Sequence, residues 1–401
     1  MKLKEKFCIL LALLTLFAFS ACEPAGRGAD NSSIYGAPVD FSGEAHDVSV
    51  FFVYVGKADC AVVKVNSAVW LVDTGTDESF PELFAALELM GAGEITGVLL
   101  THEHSDHIGG LAAAAERLPV GRVVCPEFVI DRSPILTAAA EAGLTVTTVR
   151  AGDEIPVTDG VVFRVLAPSE QIAGDGNDDS LVVKLAVNGR SFLFTGDMQT
   201  AEDAALLASG ADVKCDVLKV PNHGNPDATS EAFAAAADPL ISVISTDRRV
   251  DRDSASPLVK ARLSGSEIYV TQDHPLGVRV DVSRRGEISL SFPIRPETPE
   301  GITLAAVSKA DQTFTVKNDS GRQIDISRWS VYSTRGNEVF TFPEGTVLAP
   351  GGELLVACRK SARAAEADLV WDVKKAWADS KEDIAVLIDA YGGEAARRPS
   401  E

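Results

Sequence analysis

Histidine, cysteine and basic residues are scarce in this sequence, and each shortage argues against certain classes of function. Six histidines and six cysteines occur among 401 residues. No two cysteines form a CxxC pair, so the usual spacing of a zinc finger or a redox motif is missing. We expect Cys60, Cys125, Cys215 and Cys358 to be small buried residues, neither disulfide-bonded nor zinc ligands.

The chain is also short of positive charge, with 37 lysines and arginines against 58 aspartates and glutamates and a formal net charge of −21. Such a field repels polyanions at long range. One basic cluster, DRRVDR, contains Arg248, Arg249 and Arg252. Two interpretations stay open: these arginines contact a phosphate, or they form a solvated turn together with Asp247 and Asp251, which the mixed charge favours.

The N-terminal apolar run, residues 7–19, is too short to cross a membrane. It has about 13 residues, whereas a membrane span needs roughly 20. Lysines precede it and Ser20-Ala21 follows it, which predicts a secretory signal peptide over residues 1–21. Removal of this segment, which carries three lysines and one glutamate, would leave a formal charge of −23.

The end of this signal, FSAC, resembles a bacterial lipobox. The resemblance implies that Cys22 becomes a lipidated N-terminus, which would anchor a secreted protein to the cell membrane as a lipoprotein. Residues 22–45 are rich in small and polar residues and would form a flexible tether. The alternative is an ordinary secreted protein in which Cys22 has no special role.

Two regions of different pattern follow. Residues 46–293 alternate apolar strand-like runs, such as VSVFFVYV and SLVVKLAV, with Ala-rich amphipathic stretches, such as SFPELFAALELM, which predicts a layered α/β domain. The proline-rich segment PIRPETPEG interrupts this pattern. Short strands and turn signals dominate residues 300–395, which predicts a small all-β sandwich.

This β-rich region resembles the lamin-tail domain, an immunoglobulin-like module. The strand around Trp329, the run FPEGTVLAPGGELLV and the closing AVLIDAYGG carry the resemblance. It implies a domain without catalytic residues. We expect this domain to position the protein by binding a cell-surface polymer or another protein.

Half of the histidines stand in one short stretch, THEHSDHIGG. His102 and His104 alternate along an extended segment, while Asp106 and His107 turn back toward the same space as the chain enters a Gly-Gly turn. Imidazole and carboxylate ligands at this spacing suit zinc or manganese and leave positions open for water. The sequence therefore predicts a metal centre at this motif.

The HxHxDH pattern resembles that of the metallo-β-lactamase superfamily, in which two metals lie at the edge of an αββα sandwich. Later motifs of the family have counterparts at Asp73 in WLVDTG, Asp197 in FLFTGD and His223 in VPNHG. The resemblance implies that Asp73 orients the metal-site loop by hydrogen bonding, that zinc or manganese is bound, and that Asp106 and Asp197 serve catalysis directly. It assigns two ions to the following ligands: His102 and His104 for one, Asp106, His107 and His223 for the other, and Asp197 as the bridge.

Within the superfamily, residues 47–292 resemble the C-terminal hydrolase domain of the ComEC DNA-uptake proteins. The stretches FFVYVGKADCAVVKV, NDDSLVVKL and DVLKVPNHG carry this resemblance. The chain departs from the wider family by having no histidine between His107 and His223. Asn177 or Asp178 is the alternative for an additional ligand, unless GDGNDD is a solvated acidic turn.

Two further departures concern the substrate. Asn222 and Ser256 stand where ComEC-like proteins have histidines, and the loss of a histidine that contacts phosphate or protonates a leaving group would change the rate or the substrate range. His46 and His274 lie outside the motif, and we expect them to be surface or capping residues.

Together these patterns predict a dinuclear phosphodiesterase or nuclease that acts on extracellular DNA at the cell surface. The alternative is a degenerate domain whose metal only stabilises the fold and which catalyses no reaction. The departures at Asn222 and Ser256 support this alternative. A true β-lactamase is a weaker third interpretation, because Asp197 and the ComEC-like strands speak against it.

Overall fold

The structure is a computed structural model that describes residues 33–35, 38–128, 133–172, 176–336, 338–378 and 382–401. The signal peptide and Cys22 lie outside these residues, so lipidation stays a prediction. Within the described ranges, none of the helices has the length and apolar character that a membrane crossing requires.

The strands of the first domain form two sheets. Its strands are β1 (Ser33–Tyr35), β2 (Val48–Val53), β3 (Cys60–Val65), β4 (Ala68–Thr74), β5 (Gly97–Leu99), β6 (Val123–Pro126), β7 (Val146–Val149), β8 (Glu154–Thr158), β9 (Val161–Ala167), β10 (Val182–Val187), β11 (Arg190–Phe194), β12 (Val217–Lys219), β13 (Ile241–Ile244), β14 (Glu267–Val270), β15 (Gly277–Val282) and β16 (Ile288–Ser291). One sheet has the order β1-β16-β15-β2-β3-β4-β5-β6-β7, and the other has the order β14-β13-β12-β11-β10-β9-β8.

Helices cover the outer face of each sheet. They are α1 (Phe80–Leu89), α2 (Ser105–Ile108), α3 (Leu111–Arg117), α4 (Pro134–Glu141), α5 (Thr200–Ala208), α6 (Glu231–Ala237) and α7 (Pro257–Arg262). The first four pack on the larger sheet, and the last three pack on the smaller one. This arrangement is the predicted αββα sandwich.

The apolar pattern of β2 shows why two sheets stack. Val50 and Phe52 lie in the core between the sheets, whereas Phe51 and Val53 face the helices on the other side. Because successive side chains of a strand point to opposite faces, a strand that is apolar at every position must be covered on both. The same central core contains Trp70, whose ring packs edge to face against Phe163 at 5.7 Å.

The second domain is all-β, as predicted. Its strands are β17 (Ile302–Ser308), β18 (Thr313–Asn318), β19 (Ile324–Asp325), β20 (Ser330–Ser333), β21 (Val339–Thr341), β22 (Val347–Leu348), β23 (Glu353–Cys358), β24 (Leu369–Trp371), β25 (Ile384–Ile388) and β26 (Glu394–Pro399). Two four-stranded sheets have the orders β17-β18-β23-β24 and β21-β20-β25-β26. Phe314, Trp371 and Trp377 pack edge to face in the core of this domain.

The two domains contact each other through apolar side chains and a buried arginine. Phe80 and Phe84 of α1 form one apolar cluster with Val386 and Ile388 of β25. Beside it the buried guanidinium of Arg117 donates to a Glu88 oxygen at 2.7 Å and to the Ala390 carbonyl at 3.0 Å. The second domain therefore packs directly on the helical layer of the first.

The segment predicted to be a flexible tether, residues 22–45, includes residues that pair with the larger sheet. Residues Ser33–Tyr35 pair with β16 as an edge strand, and the Val39 N–H donates to the Arg285 carbonyl at 2.9 Å. Pairing with the open edge of a sheet satisfies backbone N–H and C=O groups, which a flexible tether would expose to solvent. The prediction that Cys60, Cys125, Cys215 and Cys358 are buried and not disulfide-bonded is confirmed.

Candidate metal centre

The predicted site residues meet at one end of the sandwich. Asp73 ends β4, the histidine motif follows β5, Asp197 follows β11, and His223 lies in a 3₁₀ turn after β12. β4 is parallel to β5 and β11 is parallel to β12. Because carboxyl ends of neighbouring parallel strands meet at one edge of a sheet, this topology gathers residues that are far apart in sequence.

Two glycines allow the loops to approach so closely. A Cβ at Gly110 would collide with the carbonyl oxygen of Thr74. Gly196 has a φ of +50°, and a Cβ there would lie 2.8 Å from the Thr101 Cβ. Both positions exclude larger residues, which explains the second glycine of HIGG and the glycine of FTGD.

His107 is held by Asp73. Its Nδ1 lies 2.8 Å from Asp73 Oδ2, and the same carboxylate accepts the N–H and the hydroxyl of Thr101 at 2.8 Å each. Because Nδ1 donates to a carboxylate, Nε2 is the nitrogen left to bind a metal. The hydrogen bond to Asp73 thus orients the ring of His107, and Asp59, Asp73 and His107 also form a second group of potential ligands.

His223 is oriented in the same way by the backbone. Its Nδ1 lies 2.8 Å from the Ser245 carbonyl, and its Nε2 lies 3.1 Å from Asp197 Oδ2. His223 and the preceding Asn222 both have positive φ, +52° and +44°. Non-glycine residues adopt this conformation at a cost of about 1–2 kcal/mol each, so the surrounding contacts must hold the turn in place.

Asp106, His107, Asp197 and His223 form one cluster, each offering a ligand atom within 4.8 Å of the others. Asp197 Oδ2 lies 3.3 Å from His107 Nε2, and Asp106 Oδ2 lies 3.5 Å from His223 Nε2. These four residues match the second ligand set of the sequence assignment together with its bridging residue.

His102 and His104 stand beside this cluster as a pair. His102 Nε2 lies 3.0 Å from His104 Nδ1, and the rings of His102 and His107 are 4.1 Å apart. Burial drives the pKa of His102 well below its ordinary value. A neutral imidazole is the form that binds metal.

Sequence reasoning missed Asp59 and Lys219. Asp59 is buried between β2 and β3, with its Oδ1 3.5 Å from His223 Nδ1. The ammonium group of Lys219 pairs with Asp59, donates to the Gly196 carbonyl at 2.9 Å and lies 3.8 Å from Asp197 Oδ1. The signal was present in the sequence, since each is a charged residue within an otherwise apolar strand region, and such residues are rarely fully buried unless paired.

The two alternatives for an additional ligand have different positions. Asp178 Oδ1 accepts the backbone N–H groups of Gln199 and Glu202 at 2.9 and 3.0 Å, so this carboxylate caps α5 and does not turn toward the cluster. Asn177 is buried in the same 3₁₀ turn. That turn contacts the Asp197 loop, because the Ser180 hydroxyl accepts the Asp197 N–H at 3.0 Å.

The remaining polar residues singled out in the sequence have structural partners. Ser256 caps α7 by accepting the Val259 N–H, and Asn222 donates to Asp227. Arg249 is bound to Asp247 and to the Tyr54 hydroxyl.

The two histidines outside the motif also lie outside the metal centre. His274 stacks on Phe292 at 3.9 Å. His46 is buried, not at the surface, and its Nδ1 lies 3.0 Å from an Asn66 amide nitrogen.

A divalent cation fits this centre. Four of its buried atoms make no well-aligned hydrogen bond among the described residues: Asp59 Oδ1, His107 Nε2, Asp197 Oδ1 and His223 Nε2. Both Nε2 atoms nevertheless lie within 3.3 Å of Asp197 Oδ2. Each unsatisfied buried polar atom costs about 1–3 kcal/mol. Burial alone would lower the pKa of His223, but the carboxylates of Asp197 and Asp59 raise it to about 9. The pocket therefore attracts positive charge, and the donor set is one that zinc and manganese accept.

Two family models match the chain. Residues 53–247 match the model of the metallo-beta-lactamase superfamily, and residues 299–400 match that of the lamin tail domain. The first match contains every predicted ligand, and the second covers β17 to β26. The resemblances to the metallo-β-lactamase superfamily and to the lamin-tail domain are confirmed.

Among curated proteins, ComE operon protein 3 of Bacillus subtilis is 30% identical to this chain over 169 residues. The aligned region covers 41% of this chain and 22% of that protein. The chain is 27% identical over 195 residues to competence protein ComA of Neisseria gonorrhoeae, covering 48% and 26%. The match thus spans about a quarter of each relative. A solved structure, the metallo-beta-lactamase fold protein YhfI of Bacillus subtilis, aligns at 11% identity over 56% of this chain and 96% of that one, with a TM-score of 0.39.

Proposed function

Because the chain joins a metallo-beta-lactamase superfamily domain to a lamin tail domain, we propose that it is a metal-dependent hydrolase that cleaves phosphodiesters. The observation that carries the proposal is the buried cluster of Asp106, His107, Asp197 and His223. In it, each histidine donates a hydrogen bond from Nδ1, which leaves its Nε2 atom for a metal.

Two ions, zinc or manganese, are proposed. His102 and His104 would hold one, Asp106, His107 and His223 the other, with Asp197 between them. The short distances from Asp197 Oδ2 to His107 and His223 support Asp197 as a ligand of the second ion.

When bound, such ions supply an activated water and stabilise the negative charge that develops on the phosphoryl oxygens. The protein's part is to hold the ligands rigidly. Asp73 fixes the ring of His107, the Ser245 carbonyl fixes that of His223, and Lys219 balances the buried charge of Asp59. Such preorganisation by residues behind the ligands is what maintains metal affinity and geometry.

The phosphodiester is proposed on two grounds. One curated relative is named competence protein ComA, and the sequence resembles the hydrolase domain of ComEC DNA-uptake proteins. We extend this proposal to extracellular DNA as substrate, to anchoring by a lipid at Cys22, and to a cell-surface polymer or protein as the partner of the lamin tail domain.

The second candidate is a metal-binding surface protein without turnover. It is favoured by Asn222 and Ser256, which replace histidines of the ComEC-like pattern and have structural partners in Asp227 and the N-terminus of α7. Neither side chain supplies a titratable group near neutral pH, so neither would replace a histidine as a proton donor.

One experiment separates the two candidates. Residues 23–401 are purified, bound metal is measured by elemental analysis, and cleavage of DNA and of bis-p-nitrophenyl phosphate is assayed with added Mn²⁺ or Zn²⁺. Asp197→Ala is the test variant, and Asp212→Ala, at an exposed ion pair with Lys184, is the matched control. Metal with cleavage that only Asp197→Ala abolishes supports the hydrolase. Metal without cleavage above the Asp197→Ala background overturns it in favour of the binding protein.

A further inference from the structure

A cleft of about 500 Å³ opens beside the metal centre. Tyr54, Lys57, Thr76, Glu82, Val250 and Pro275 are among the residues that line it. It begins where β2 ends, next to the loop that carries Asp59. Lys57 links the cleft to the centre, since its Nζ lies 2.8 Å from Asp106 Oδ2.

Lys57 is the one basic side chain among the described residues that line this cleft. Two other cations near the cleft are already engaged. Lys219 is buried and paired with Asp59, and the guanidinium of Arg249 is bound to Asp247 and to the Tyr54 hydroxyl. The side chain of Lys57, which is paired with Asp106, is 28% exposed. An ammonium group has three N–H donors, and the bond to Asp106 uses one of them.

Val55, Val250 and Pro275 give the cleft an apolar part, here called the apolar wall, while Glu78 and Glu82 also line the cleft. Val250, at the tip of the loop after β13, is 75% exposed, and Val55 and Pro275 lie along the same cleft. The hydrogen bond from the Tyr54 hydroxyl to Asp247, at 2.9 Å, ties this loop to the end of β2. A flat organic group could pack on this wall while a charged group attached to it reached Lys57.

We propose that Lys57 binds a non-bridging oxygen of the substrate phosphate and that the apolar wall receives the organic group esterified to it. This inference rests on the proposed function and makes Lys57 a residue that determines specificity for an anionic diester over a neutral ester. A chain of net charge −21 repels such an anion, and a charge-assisted hydrogen bond at the mouth of the centre offsets that repulsion locally.

The same pair of residues has a simpler explanation, in which Lys57 only supports Asp106. The two explanations differ in what an uncharged side chain of similar length would do. If Lys57 only holds Asp106, its loss lowers metal content and affects every substrate alike. If it binds phosphate, metal content stays and only anionic ligands are affected.

The test compares the metal-loaded full chain with Lys57→Met, Lys57→Arg and the control Lys214→Met, which removes an exposed lysine paired with Asp238. Bound metal is measured first. Inorganic phosphate binding is then measured by calorimetry, KM and kcat on bis-p-nitrophenyl phosphate by absorbance, and p-nitrophenyl acetate serves as the neutral substrate.

We expect Lys57→Met to keep its metal, to weaken phosphate binding roughly 10-fold or more and to raise the KM for the diester by a similar factor, with the neutral ester unaffected. Lys57→Arg should restore most of the phosphate affinity. Unchanged phosphate affinity in Lys57→Met, or a parallel loss of metal, would overturn the proposal. If the native protein binds phosphate through Lys57 yet cleaves no diester, the proposed function fails while the anion site stands.

Discussion

Asparagine in place of Asp73 tests how the ligand His107 is held. The carboxylate accepts three hydrogen bonds of 2.8 Å, two from Thr101 and one from His107 Nδ1. Asparagine has nearly the same shape, but an amide NH₂ replaces one acceptor oxygen. With Oδ1 still bound to the Thr101 N–H, the amide faces His107. Nδ1 must then accept, and the imidazole proton moves to Nε2.

A protonated Nε2 cannot bind a metal ion, so the variant must either lose this ligand or rotate the amide and break the Thr101 bond. Loss of the partner behind a metal-bound histidine lowers metal affinity about 10- to 100-fold, which corresponds to about 1.4–2.7 kcal/mol. We therefore expect Asp73→Asn to fold normally and to bind Zn²⁺ about 10- to 100-fold more weakly than the native protein.

The measurement is a competition titration against a chromogenic chelator. Asp153→Asn is the control, because it makes the same chemical change at an exposed turn, where the carboxylate accepts the Arg150 N–H. Zinc affinity of Asp73→Asn within twofold of the native value would refute the reasoning, since the bond to Asp73 would then not decide which nitrogen of His107 is free.

Glu202 and Arg117 give two further predictions. Burial, together with Asp178 and Asp179, raises the pKa of Glu202 well above its ordinary value of 4.5. The protonated side chain therefore makes its full contribution to folding stability below the ordinary pKa of 4.5, and this contribution is lost as the pH rises through the folded-state pKa. Glu202→Gln should therefore raise the melting temperature at pH 8 and change it little at about pH 4, and an equal gain at both values would contradict this. Arg117→Met leaves the buried carboxylate of Glu88 with less positive charge beside it, so the free energy of unfolding measured in urea should fall by about 3–5 kcal/mol. Arg359→Met, which removes an exposed ion pair, should lower it by about 1 kcal/mol or less. Similar losses in the two variants would show that the contact between the domains contributes little to stability.

The C-terminal domain does more than the sequence resemblance suggested. Its strand β25 packs on Phe80 and Phe84 of α1, and Ser79, which precedes that helix, lines the cleft beside the metal centre. The domain therefore supports one wall of the cleft through α1. Its proposed partner at the cell surface would bind a module that packs directly on the hydrolase domain.

Much of the hydrolase domain was predictable because its signals are local. The strands and helices quoted from the sequence correspond to β2, β10 and α1, where apolar periodicity decides the element. Short helices such as α2 and α5 were not anticipated. Four residues in α2 give too little periodicity, and α5 buries the acidic Glu202 and Asp203 on its inner face, which hides its amphipathic pattern.

The sequence by itself predicted most of the candidate ligands, because metal chemistry restricts ligands to a few residue types and THEHSDHIGG concentrates them within one loop. It also placed Asp73, Asp197 and His223 in the right order, through motifs at strand ends. Only the tertiary structure decided that Asp59 and Lys219 join the centre, that Asp178 turns away to cap α5, and that Lys57 faces a cleft. The direction of a side chain depends on which distant strand lies opposite it, and no local pattern records that.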